Sequence, residues 1–594
     1  MRFFSTMVAS VLGSLIAIGL LVFIGFLIAT AFIASSFSTF SSVQAPVASE
    51  SILTLRLSGP IEEYGISDPT YELFDLPQPT SLAQISSALD KAAGDDRIKA
   101  VWLKPQGVIA GWPTLAEIRQ SLLEFKESGK PVIASASGDV SMRESDYFLA
   151  TAADSIYAAP GAFFEFNGLS LSVLFYKGLL EKLNIEPTIL RVGTYKGAIE
   201  PYTREDLSRE NREQLAAILE NWNQLLTNTT AEARGMSEEH VQNLIQTGTI
   251  LTTEDAVEAD LLDGLLSEEN VRTRLKKWVE IDGRLRTTSL STYSSSGSSG
   301  SSSYSEAIGV LTASGTIMSG NSSDRNGLLG ATTVERSLRS FRENDDVKAV
   351  VLRIDSPGGS ATASEAMWQA VKETSNDKPV VVSMGDMAAS GGYWLATAGD
   401  TILASPHTLT GSIGVFGMHL SLGRMMETKL GITYDHVSTS DFADMFSGMR
   451  PLRDAERALF ERSLGQIYTK FLERVSESRG MTVDAVDAIG QGRIWTGEAA
   501  LNAGLVDQLG DLDDAIEIAA EMAGLEKDEY RIRRLPRPRT LMDRYLDLFM
   551  IGIRSVFESP IEAQLRTEAR LLEEAVRLHA TPIARFPLDF VEYD

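Results

Sequence analysis

The chain contains no cysteine. That excludes disulfides, thiolate zinc sites and a cysteine nucleophile. Histidine is scarce too: only His240, His407, His419, His436 and His579 occur, and none forms a His-Glu-x-x-His pair, which argues against a zinc protease. Positive charge is in deficit, with 54 Lys and Arg against 80 Asp and Glu. The resulting net charge of −26 argues against a nucleic-acid partner and serves solubility. Charge of either sign is missing between Arg2 and Glu50. Within that gap Met7 to Ile33 is almost wholly apolar, longer than the ~20 residues that cross a bilayer. A signal-peptide core would be shorter; Ala31 and Ala34 keep cleavage open, but an uncleaved anchor over residues 1–37 is the favoured reading. Arg2 and the α-amine are the positive charges near the N-terminus, which places that end in the cytoplasm and the body outside it. Residues 38–49 read as a tether.

The chain is too long for one core, since 594 residues imply two to four domains. From Ile52 the pattern is α/β. Ile52–Leu57, Ile98–Leu103 and Pro131–Ser135 read as strands, Ser81–Ala93 and Thr114–Glu127 as helices, and a long helix covers roughly Glu205–Ala233. Strands alternating with helices predict parallel sheet and crossover connections. A serine- and glycine-rich stretch at 286–306 reads as a flexible linker between bodies at 50–285 and 307–530, with a tail at 531–594 whose Tyr545–Phe557 segment is apolar and suited to a membrane, a partner or its own domain.

The two bodies resemble each other. Asp95-Asp-Arg-Ile-Lys-Ala-Val101 matches Asp345-Asp-Val-Lys-Ala-Val350, and Lys130-Pro-Val-Ile133 matches Lys378-Pro-Val-Val381. Tyr147-Phe-Leu-Ala-Thr-Ala-Ala-Asp154 matches Tyr393-Trp-Leu-Ala-Thr-Ala-Gly-Asp400, and Ala233-Arg-Gly-Met236 matches Ser478-Arg-Gly-Met481. Four matches in order at near-constant offset imply a tandem duplication of one α/β domain. The differences carry the information. Ser390 falls opposite Glu144, and Gly391-Gly392 opposite Ser145-Asp146. In the other direction, matching Leu183-Asn-Ile185 with Leu430-Gly-Ile432 sets Lys196 opposite Ala443. Each copy carries what the other lacks.

Ser390 lies in Met384-Gly-Asp-Met-Ala-Ala-Ser-Gly-Gly-Tyr-Trp394, after a strand-like run at Pro379–Ser383 and before a short helical run, a turn that suits either a nucleophile or an ordinary serine cap. A serine needs a base. His407 is near in sequence but sits in Ala-Ser-Pro-His-Thr without an acidic orienter, and reads as a surface or packing residue. Lys196 has small and apolar neighbours, and burial would bring its pKa toward neutrality. The Asp355-Ser-Pro-Gly-Gly359 loop and Gly391 offer backbone donors for an oxyanion, against the plainer reading of a Pro-Gly turn. Ser412, in Thr-Gly-Ser-Ile-Gly, is placed to bond the lysine or is part of a glycine-rich loop.

Together, Ser-Pro-Gly-Gly at 356–359, Ala-Ser-Gly-Gly-Tyr at 389–393, Thr-Gly-Ser-Ile-Gly at 410–414 and Tyr-Lys-Gly-Ala-Ile-Glu-Pro at 195–201 resemble the signal peptide peptidase A family in its long, duplicated, membrane-anchored form. The resemblance runs from the anchor to about Ala523, with the serine-rich linker and the tail as departures. It implies two Clp protease/crotonase-like α/β domains. It also implies a Ser/Lys dyad with Ser390 as nucleophile, Lys196 as general base, Ser412 orienting the lysine, and Gly391 with Gly358 and Gly359 at the oxyanion. No metal or organic cofactor is implied. The implied substrates are signal peptides left in the membrane after cleavage, and other hydrophobic peptides. The implied assembly is a homo-oligomer, a tetramer, over the extracytoplasmic face of the inner membrane. Rival readings are the same chemistry on misfolded envelope proteins, a crotonase-like enzyme acting on acyl-CoA, and a non-catalytic membrane scaffold.

Overall fold

Val350-Val-Leu-Arg-Ile354 is apolar on both faces except for one arginine, the pattern of a strand covered on both sides. It forms the centre of the parallel strand Val347–Ser356. In the computed structural model, which describes residues 47–65, 80–136, 141–296, 304–323, 327–527, 529–536 and 583–585, that strand is the middle of the second of two similar sheets. The first sheet runs Ser51–Glu62, Ile98–Ile109, Val132–Ala136, Ser155–Ala158, Gly264–Leu265, all parallel. The second repeats that order with Ala307–Ser314, Val347–Ser356, Val380–Ala389, Thr401–Ala404, Gln508–Leu509. The fold is thus a mixed α/β domain built twice.

Side-chain bonds repeat along with the strands. Asp154 accepts from the Val132 N–H and Asp400 from the Val380 N–H. The Tyr147 hydroxyl donates to the Leu261 carbonyl and the Tyr393 hydroxyl to that of Leu505. Arg234 pairs with Asp263, and Arg479 with Asp507. The tyrosine bonds satisfy buried hydroxyls and the two aspartates take N–H groups at strand starts, while the Arg–Asp pairs lie nearer the surface.

Three sequence boundaries shift. The linker read as 286–306 is structured as far as Ser296: Arg286–Ser289 pairs in parallel with Ser51–Glu62, and Leu290–Ser295 is a helix capped by Ser289. Tyr293 is buried there and donates to Asp95, so one aromatic anchors a serine-rich segment that composition alone describes as loose. The tail read from 531 begins as a strand, Arg531–Leu535, parallel to Ala307–Ser314. The strand read as Pro379–Ser383 continues to Ala389. Gly385 and Asp386 interrupt the apolar pattern, but this strand bulges against its neighbour, four residues from Met384 to Ala388 facing two from Ile354 to Ser356, and the ladder runs on to pair Ala388 with Thr410 and Ala389 with Gly411.

The copies interlock. Strand Glu186–Val192 of the first pairs antiparallel with Val415–Ser421 of the second over seven residue pairs. Asp386 accepts from the N–H groups of Gly111 and Thr114 at 2.8 Å each, and a Cβ on Gly111 would fall 2.3 Å from the Asp386 carboxyl carbon. Arg353 donates to Glu63 and to Glu117 across the same boundary, at 2.8 and 2.7 Å. Arg353 is the one cation against Glu63, Glu117 and Asp355, with Asp386 beside Glu63 and Asp355, and burial pushes Glu117 up to about 8 and Asp355 well above the carboxylate range. A third sheet carries Thr316–Met318, Gly358–Ser360, Ile583–Arg585, Val415–Ser421 and Glu186–Val192, in that order. Among the described residues no helix is long and apolar enough to cross a membrane. The stretch read as an anchor at 1–37, the tether up to 46 and the apolar Tyr545–Phe557 lie outside the described residues.

Candidate active site

Strand Val380–Ala389 delivers Ser390 to the first turn of helix Gly391–Ala396. Ser390 has φ 55° and ψ −113°, a backbone conformation that a residue with a Cβ rarely adopts. It is held by the Ser390 N–H donating to the Gly411 carbonyl and by the Trp394 N–H donating to the Ser390 carbonyl, each at 2.8 Å. Beneath it, Tyr393 and Trp394 are buried, and Trp394 stacks on Phe471 with ring centroids 4.6 Å apart. A strained backbone at a strand-to-helix junction persists only when its surroundings over-determine it. Here a ladder on one side and an aromatic plug on the other do so.

Lys196 comes from the first copy, just before the 3-10 turn Gly197–Ile199. The Tyr195 N–H donates to the Gln491 carbonyl at 2.8 Å, and Arg191, paired with Glu200, donates to the Lys196 carbonyl. The Lys196 side chain crosses into the second copy. Its Nζ lies 2.8 Å from Ser390 Oγ, 3.0 Å from Ser412 Oγ and 3.0 Å from the Ser412 carbonyl oxygen. All three partners are uncharged oxygens. Lys196, Ser390 and Ser412 have no solvent exposure. Desolvation with no compensating carboxylate pushes the lysine down to about 7. Ser412, itself at φ 52°, is fixed by its N–H donating to the Arg493 carbonyl at 2.7 Å.

The glycines gather on the other side of Ser390. A Cβ on Gly391 would lie 3.2 Å from the Gly359 nitrogen and 3.3 Å from the Gly358 Cα, so the helix start and the strand Gly358–Ser360 run side by side. Gly391 occupies the first helical position, where a backbone N–H has no acceptor within the helix. Gly358 and Gly359 have φ of 98° and 153°, and a Cβ on Gly359 would strike the Ile317 carbonyl oxygen at 2.1 Å. The Gly358 N–H donates within its own loop to Ser356 Oγ at 3.2 Å.

The other candidates separate. His407 is half-buried, bonds Asn221 through Nδ1 at 2.8 Å, and is pushed down by desolvation to about 4, so it stays neutral as a packing residue. Glu144, opposite Ser390 in the first copy, accepts from the N–H groups of Asn167 and Gly168. Asp146 accepts from those of Gly107 and Val108 at 2.9 and 3.0 Å. In the first copy, then, carboxylates of the helix start occupy loop N–H groups. In the second, Gly391 and Gly392 stand there instead, with no side chain to take up those groups, packed against Ser364, Ser356 and the Gly358–Ser360 strand.

Some contributors were invisible in the sequence. Gly492 (φ 78°) lies so close to the lysine that a Cβ would sit 2.6 Å from the Lys196 nitrogen. Gln214 reaches Tyr195 from the long helix. Neither falls in a motif, and only the apposition of the two copies gives them a place. The one available signal was the Gln491-Gly492 pair before a strand-like Ile494-Trp495.

The profile of "Peptidase family S49" matches residues 124–282 and 372–526, once in each copy, and that of "Clp protease" matches 300–410. A relative from Arabidopsis thaliana, "Serine protease SPPA, chloroplastic", is 36% identical over 82% of this chain and 72% of its own. "Protease 4" of Salmonella typhi is 34% identical over 86% of this chain and 82% of its own, and "Protease 4" of Haemophilus influenzae 33% over 83% and 82%. The duplicated α/β body, the strained serine and the extent of these matches lead to one conclusion: the chain belongs to peptidase family S49 and is a serine peptidase.

Proposed function

We propose that Ser390 is the nucleophile and Lys196 the general base of this peptidase. The observation that carries the reading is the 2.8 Å approach of Lys196 Nζ to Ser390 Oγ in a site without charge of opposite sign. A lysine at about 7 is substantially neutral at physiological pH. Its lone pair takes the Ser390 hydroxyl proton as Oγ attacks the scissile carbonyl. Gly391 and the Gly358-Gly359 strand face the oxyanion, a position where loss of one donor costs ~3 kcal/mol of barrier. The ammonium then returns the proton to the departing amine, and water, activated by the same lysine, releases the acyl group. Ser412 turns the lysine toward Ser390 by accepting two of its hydrogen bonds. None of these steps draws on a metal or a cofactor.

The substrate class proposed is hydrophobic peptide, above all signal peptides remaining in a membrane after their release, with misfolded envelope proteins as the second choice. The apolar run Met7–Ile33 supports an N-terminal anchor that holds the body on the extracytoplasmic side of the inner membrane. Leu174, Leu179, Leu430, Ile432 and Phe442 are exposed apolar residues, which supports a homo-oligomer and, with the family resemblance, a tetramer.

Ser390→Ala and Lys196→Ala test the dyad. Each is expected to abolish hydrolysis of a fluorogenic peptide, and Ser390→Ala to abolish labelling by a fluorophosphonate. Parent-like hydrolysis by either variant sinks the assignment.

A further inference from the structure

The base belongs to one copy and its nucleophile to the other, so something must fix their separation. A short segment of the second copy, Gln491–Ile494, touches both sides. The Gln491 carbonyl accepts from the Tyr195 N–H, next to the lysine, at 2.8 Å. The Arg493 carbonyl accepts from the Ser412 N–H at 2.7 Å, and the Gly492 N–H donates to the Ile413 carbonyl at 2.7 Å. Strand Ile494–Thr496 then pairs antiparallel with Leu409–Gly411, which holds Ser390 through the Gly411 carbonyl. This segment is a bracket between base and nucleophile, and it is made of backbone.

One buried side chain ties the bracket to the lysine loop. Gln214 lies on the helix Arg209–Arg234 and is 1% exposed. Its Nε2 donates to the Tyr195 carbonyl at 3.2 Å and to Asn211 Oδ1 at 2.7 Å, while its Oε1 accepts from the Ile494 N–H at 3.1 Å. Asn211 Nδ2 in turn donates to Glu200, the carboxylate paired with Arg191. A primary amide is the group this position requires, because it must donate to a carbonyl and accept from an N–H at once. A carboxylate could not donate, and an aliphatic chain would leave two backbone groups unmatched in the interior.

We propose that Gln214 is the positioning residue of the catalytic pair: it sets the height of the Lys196 loop against the strand that carries the Ser390 and Ser412 backbone. The proposal rests on the Ser390/Lys196 reading and adds a residue outside every motif of the site. Gln214 touches neither substrate nor the reacting atoms. Its effect passes through Tyr195 to the lysine on one side and through Ile494 to Gly411 on the other.

The experiment compares the full-length chain with Gln214→Met, which keeps the length and removes both functions of the amide, and with Gln214→Glu, which keeps the acceptor and donates only while protonated. The readouts are kcat, KM and the pH profile of kcat/KM on a fluorogenic peptide. Gln214→Met is expected to lower kcat roughly 10- to 100-fold, as a displacement of about 1 Å in a reacting group does. KM should stay within about twofold, since the amide touches the lysine loop and the bracket and not the reacting atoms. The acid limb of the pH profile should move upward, because a loosened lysine loop admits water and returns the amine toward its ordinary pKa. Gln214→Glu should retain more activity than Gln214→Met below neutrality and lose that advantage as pH rises and the carboxyl ionises. Unchanged kcat with an unchanged pH midpoint overturns the proposal, and so does a loss shared by kcat and folded fraction with the midpoint in place. If Gln214→Met does not fold, Gln214→Asn keeps the amide and withdraws it by one methylene, and the same readouts apply. A Ser390→Ala enzyme that remained active would refute the dyad instead, so the two failures are distinguishable.

Discussion

Gly492 and Lys196 are packed backbone against backbone: a Cβ on the glycine would fall 2.6 Å from the lysine nitrogen, 2.7 Å from its Cβ and 2.8 Å from its Cα. These atoms belong to the main chain and the root of the side chain, so they cannot swing aside as the tip of a flexible residue would. Gly492 also has φ 78°, which disfavours any L side chain. Gly492→Ala is therefore expected to push the lysine loop away and to reduce kcat by about 100-fold or more. Fluorophosphonate labelling kinetics would check this. A labelling rate within about twofold of the parent would mean that the loop absorbs the methyl elsewhere.

The buried lysine makes two signed predictions about pH. The proposed mechanism needs the neutral amine, so kcat/KM should rise as pH passes through about 7 and level off above it. Stability follows the same group. Burial lowers the folded-state value from 10.5 to about 7, so between those limits the unfolded chain binds a proton that the folded chain does not. Stability should climb with pH across that window, and the cost of burying the amine is fully present below it. Lys196→Met should accordingly be more stable than the parent at pH 6, and the gain should fade toward pH 10. Urea denaturation at the two pH values decides; a gain of equal size at both contradicts the assignment.

The boundary between the copies carries its own test. Arg353 is 1% exposed in its side chain and pairs with Glu63 and Glu117. Arg353→Met strands those carboxylates, at a cost of about 3–5 kcal/mol. The penalty should be smaller at pH 5 than at pH 8, because stranded acids escape it by taking up protons, and protons are plentiful only at the lower pH. Replacing Arg353, Glu63 and Glu117 together by Met, Gln and Gln should recover much of the loss. Unfolding midpoints in urea at both pH values measure it, and an equal loss at both would show that packing, not charge, is what Arg353 supplies.

The parallel strands were legible because each is a short apolar run ending in a turn, as at Ile98–Val101 and Ala349–Val351, and because the chain states the pattern twice. Duplication also set Lys196 and Ser390 apart as residues present in only one copy, and the structure puts their side chains in contact. The interlocking strands were not legible. Glu186–Val192 and Val415–Ser421 each look like an isolated segment, and nothing local records that they pair across about 230 residues of chain. Asp386 breaks the apolar pattern of strand Val380–Ala389, so the sequence pattern alone ends it at Ser383. That aspartate is matched by Gly111 and Thr114 of the other copy, a partner no window of sequence contains. Gln214 was hidden for the same reason, as one polar residue among many on a polar helix.

The third sheet has one more consequence. Between Gly358–Ser360 and Val415–Ser421 there is a slot one strand wide, and Ile583–Arg585 fills it, antiparallel to the glycine strand with Ala584 opposite Gly359 and Ile583 opposite both Ser360 and Phe416. The slot reads main chain before it reads side chains. A slot of this kind holds a chain only in extended form, paired through its main chain on either side. The proline residues at 582 and 587 bracket that occupant, and a residue without an N–H cannot lengthen a ladder. Among the described residues the occupant is accordingly a strand of three residues.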